Sequence, residues 1–64
     1  MTPTPISTFY SDNGEREAVV LTDGYGVYVI QYYWLGSLVD SQEFPKLDLH
    51  TVECIAEDYV EDTK

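Results

Sequence analysis

The chain has 64 residues, with twelve acidic and three basic side chains and a formal charge of −9. That length holds one domain at most, and a domain of this size buries only about 60% of the surface its unfolded chain exposes. Cys54 is the only cysteine, which excludes an intrachain disulfide scaffold and fits a reducing compartment. Residues 1–5 lack the basic and apolar regions of a signal peptide, and no apolar run reaches the about 20 residues of a membrane span. A cytoplasmic location is expected.

High charge with low hydrophobicity favours disorder. Here 44% of the residues are hydrophobic and 14% aromatic, enough for a core, so the acid belongs on a folded surface. Such a surface repels nucleic acid and acidic membranes and attracts basic protein.

Residues 1–5, with Pro3 and Pro5, are expected to form a flexible start. Residues 6–11 (ISTFYS) are β-branched and aromatic and predict a short edge strand. Asn13-Gly14 then marks a hairpin, because a type I′ turn needs positive φ at both central residues. Residues 16–22 form the next expected strand, Asp23-Gly24 a second turn, and residues 27–35 the longest and central strand. Gly36-Ser37 is read as a third turn and residues 38–44 as a fourth strand, ended by Pro45. Beyond it the period changes. Asp48 suits an N-cap, and Leu49, Val52, Ile55, Ala56, Tyr59 and Val60 recur at helical spacing.

The expected fold is therefore α+β: one domain over residues 1–64. It has an antiparallel meander of three or four strands over residues 6–44 and one C-terminal helix over residues 48–62. Two-residue turns throughout would place Ile30 and Tyr32 with Val19 and Leu21 on the face beneath the helix. Phe9, Val20, Val29 and Tyr33 would then form an exposed apolar patch of the kind that marks an interface; the alternative is that the helix covers this face and leaves the other exposed.

No catalytic, cofactor or metal site is expected. His50 and Cys54 share a helix face, but zinc needs three or four ligands and no further His or Cys exists. The Gly24-Tyr25-Gly26 stretch precedes no helix that could hold a phosphate. Asp12-Asn13-Gly14-Glu15 lacks the spaced ligands of a calcium loop. Stacking of bases on Tyr28, Tyr32, Tyr33 and Trp34 would require the positive groove that phosphate binding needs, so direct nucleic-acid binding is not expected.

The helix acids form the most informative pattern. Glu53, Glu57 and Glu61 lie at i, i+4 and i+8, with Asp58 and Asp62 beside them. Like charges at that spacing cost about 0.2–0.5 kcal/mol per pair, and the last of them oppose the helix dipole. Successive glutamates stand about 6 Å apart, near the spacing of phosphates along a nucleic-acid strand. The leading expectation is an interaction protein whose acidic face, with Asp40 and Glu43 as additions, binds a basic surface of a larger partner. A nucleic-acid-binding protein inhibited by mimicry is one such partner, and the composition resembles that of bacteriophage or plasmid accessory proteins. The alternative is a structural or accessory subunit that docks, or forms a homodimer, through the aromatic sheet face.

Overall fold

The computed structural model describes residues 3–61. Four strands, β1 (Thr4–Tyr10), β2 (Arg16–Thr22), β3 (Tyr28–Trp34) and β4 (Ser37–Phe44), precede one helix, α1 (Leu49–Glu61). All neighbouring strands pair antiparallel in the order β1-β2-β3-β4, a meander with the helix packed on one face. β1 starts at Thr4, so the stretch expected to be flexible already contributes its last two residues to the ladder. Pro5 is tolerated there because β1 is an edge.

The three connections decide which side chains meet. At the first, Ser11 N donates to Arg16 O at 3.0 Å and Gly14 N to Ser11 O at 3.0 Å. Phe9 then faces Ala18, the register expected, but the turn is not type I′. Gly14 takes positive φ and Asn13 does not, and the bond from Gly14 N to Ser11 O puts Asp12-Asn13 at its centre. The second connection is a five-residue loop, because Thr22 pairs with Tyr28. Asp23 Oδ1 accepts from Tyr25 N at 2.7 Å and from Val27 N at 3.3 Å, and Thr22 Oγ1 accepts from Gly24 N at 3.1 Å. Side chains that mimic a backbone turn thus hold the loop open, and Gly24 and Gly26 supply its positive φ values. The third connection is centred on Leu35-Gly36, one residue earlier than expected, with φ of 54° and 85°, both positive as a type I′ turn demands.

An odd loop length where an even one was expected exchanges the faces of the sheet. Val20 lies opposite Ile30 and Ala18 opposite Tyr32, and these four form the sheet side of the core. Val52, Ala56 and Val60 complete it from the helix, while Phe9, Tyr28, Phe44, Leu49, Ile55 and Tyr59 pack around it. The apolar patch expected from Phe9, Val20, Val29 and Tyr33 is therefore not one surface. Val20 is fully buried and Phe9 packs against the core, while Val29 and Tyr33 share the opposite face with Val19 and Leu21. Val19 and Leu21, expected beneath the helix, are thus on the uncovered side.

The helix begins where its cap says it should. Asp48 Oδ1 accepts from Thr51 N at 3.0 Å, and Asp48 O accepts from Val52 N at 3.1 Å. Hydrogen bonds from the Thr51 side chain and then its backbone hold the Asp48 carboxyl below its ordinary value. Among the described residues no helix is long and apolar enough to cross a membrane.

Candidate functional site

Three polar links set the rotation of α1 over the sheet, and so decide where its acids point. Ser7 Oγ on β1 donates to Glu53 Oε2 at 2.8 Å. Arg16 Nη1 on β2 donates to Tyr59 O at 3.3 Å. Tyr59 Oη donates to Tyr33 O of β3 at 3.0 Å. With Val52, Ala56 and Val60 buried beneath it, the helix presents one flank towards β1 and the other towards β3 and β4.

The row Glu53, Glu57, Glu61 occupies the β1 flank. Its first member is half-buried and tied to Ser7, while Glu57 and Glu61 are exposed. Glu61 lines a cleft of about 220 Å³ with Tyr10, Ser11, Asp12 and Val60, so an acid from the first hairpin stands at the end of the row. Asp58 lies on the other flank, separate from the glutamates. It borders a groove of about 420 Å³ shared with Tyr32, Val39, Asp40, Gln42, Ile55 and Tyr59. The single acidic face expected from the helix is thus two faces. Asp40 joins Asp58 and not the glutamate row. Glu43 pairs with Val29 on the uncovered side of the sheet, and Asp62 lies outside the described residues.

Few positive charges offset these acids. Arg16 is drawn into the fold: its guanidinium carbon lies 5.9 Å from the Trp34 ring centre and 5.8 Å from that of Tyr59, which is cation–π range on both. Lys46 is exposed on the segment before the helix, and none of the described acids is buried. Sequence reading did not find the role of Arg16. The signal was a base opening β2 while an aromatic closes β3, a pairing visible only once the register is known.

In the groove, the Tyr32 and Tyr59 rings sit 4.8 Å apart and tilted by 58°. Tyr32 Oη donates to Gln42 Oε1 at 2.7 Å. Burial, then the charge of Asp40 and the neighbouring Tyr59, push the Tyr32 hydroxyl above its ordinary value, so it remains a protonated donor at neutral pH.

His50 Nε2 and Cys54 Sγ are 3.9 Å apart on the exposed face of α1. Among the described residues no group of three or more His, Cys, Asp or Glu is placed to hold a metal. Apolar exposure concentrates at the turn between β3 and β4, at Trp34, Leu35, Leu38 and Val39. Compared with known proteins, the chain matches no family model, no curated protein and no solved structure.

Proposed function

We propose that this chain is a non-enzymatic interaction protein that binds a basic surface of a larger partner through the acids of α1. The reading includes the case of a nucleic-acid-binding partner blocked by mimicry of its ligand, as an accessory protein of phage or plasmid type would do in a reducing cytoplasm. The observation that carries it is the exposure of Glu57 and Glu61 on a helix they do not stabilise. Placed i, i+4, they repel each other, and Glu61 sits at the negative end of the dipole. A surface selected for folding alone would carry lysine there. Capture from host lysate on wild-type and Glu57→Gln/Glu61→Gln baits tests it. A partner retained at low salt, released at high salt and weakened by the double substitution supports the reading.

A second reading has its own observation. Among the described residues no element covers the sheet face opposite the helix, and Val19, Val29 and Tyr33 on it are half-buried. An accessory subunit would dock there, or form a homodimer, by apolar contact. That association would not weaken as salt rises, because apolar contact is not screened and screening relieves the repulsion between two acidic copies.

A further inference from the structure

We infer that the groove between α1 and β4 is a docking site for arginine side chains of a basic polypeptide segment. The inference rests on the reading of the chain as a binder of basic surfaces and adds to the glutamate row a second contact, apart from it. The groove's wall is aromatic and aliphatic, from Tyr32, Val39, Ile55 and Tyr59, and its carboxylates come from both sides, Asp40 on β4 and Asp58 on α1. Among the described residues no basic side chain lines it. Asp58 is exposed, and its carboxylate makes no hydrogen bond or ion pair among the described residues. Among the described residues Asp40 accepts only from its neighbour Ser41 N, at 2.8 Å, and keeps lone pairs open.

An apolar wall flanked by carboxylates matches guanidinium chemistry. A planar cation lies flat on apolar surface and donates a two-pronged hydrogen bond to a carboxylate, which a lysine ammonium does not reproduce. The chain uses the same preference internally, where Arg16 lies against Trp34 and Tyr59. The groove's volume falls within the about 300–1,000 Å³ of ordinary ligand sites. Charge selects a foreign segment over a second copy, since another molecule of formal charge −9 would bring acid against Asp40 and Asp58.

The test titrates the full chain, at low ionic strength, with a short peptide alternating glycine and arginine and with its lysine counterpart. Amide chemical shifts locate each contact, and the titrations give affinities. The expected result is shifts centred on Asp40, Gln42, Ile55 and Asp58, with the arginine peptide bound more tightly. Asp40→Asn with Asp58→Asn should weaken it at least about tenfold, since charged hydrogen bonds are worth about 1.5–3 kcal/mol and 1.4 is tenfold. Unchanged melting of that variant shows the fold is kept. Equal affinity for the lysine peptide overturns the site. Shifts along the β1 flank, with loss on Glu57→Gln/Glu61→Gln alone, overturn the groove and leave the basic-partner reading standing. Absence of binding to either peptide overturns both.

Discussion

Two residues carry local features that make separate tests. Leu35 adopts φ of 54° while 71% exposed, a conformation that costs a branched side chain about 1–2 kcal/mol. Asparagine tolerates it, and Asn-Gly is the favoured pair for this turn. Leu35→Asn should raise stability by about 1 kcal/mol in denaturant unfolding, and no change would show that the side chain is held by contacts of its own. Asp48 is the second. Its folded-state pKa lies below the unfolded value, so its contribution is complete above about pH 4 and is lost as pH falls through the folded value. The stability difference between the wild type and Asp48→Ala should be largest near neutrality and shrink below about pH 4. A difference independent of pH would mean that the carboxylate does not cap α1.

Most of the elements were legible in the sequence, and the pairing of faces was not. Asn13-Gly14, Pro45, Asp48 and the helical spacing of Leu49, Val52 and Ala56 each report on their own neighbourhood, and each marks its element. The loop after β2 does not work that way. Asp23-Gly24 has the composition of a two-residue turn, but the Asp23 side chain binds two amides further on and Gly26 takes a second positive φ. The loop closes over five residues instead. That one change of parity moved Val20 beneath the helix and Val19 away from it. The site inherits the same limit. The acids of α1 were legible as a pattern, but the division of Asp58 from the glutamates depends on helix rotation, set by Ser7, Arg16 and Tyr59 across the sheet.

At the scale of these elements, Ile30 sits fully buried between Val20 and the helix. Ile30→Ala should cost about 2–5 kcal/mol, enough to unfold much of a domain this small. A melting temperature lowered by only a degree or two would contradict the packing. On α1, Glu57→Gln/Glu61→Gln removes the like-charge pairs and should stabilise the fold slightly, by about 0.2–0.5 kcal/mol per pair, as read by thermal melting. Destabilisation would show that these carboxylates have structural partners.

The whole molecule combines strong negative charge with two apolar regions that no described residue covers, the outer sheet face and the end of the β3–β4 hairpin. These features pull association in opposite directions. Mutual repulsion keeps copies apart at low salt, and screening brings them together. Sedimentation across concentration at low and high salt should show self-association strengthening as salt rises if the sheet face is the working surface. Its absence at both would remove the homodimer and with it the main support for an accessory subunit. The central claim is more directly tested by the affinity of the captured partner for the wild type and for Glu57→Gln/Glu61→Gln, measured at low salt on protein whose fold has been checked. The account predicts weaker binding by the double variant, mainly through a slower on-rate because exposed charges steer encounter. Equal affinity, with binding lost instead on substitution of Val29 or Tyr33, would contradict it.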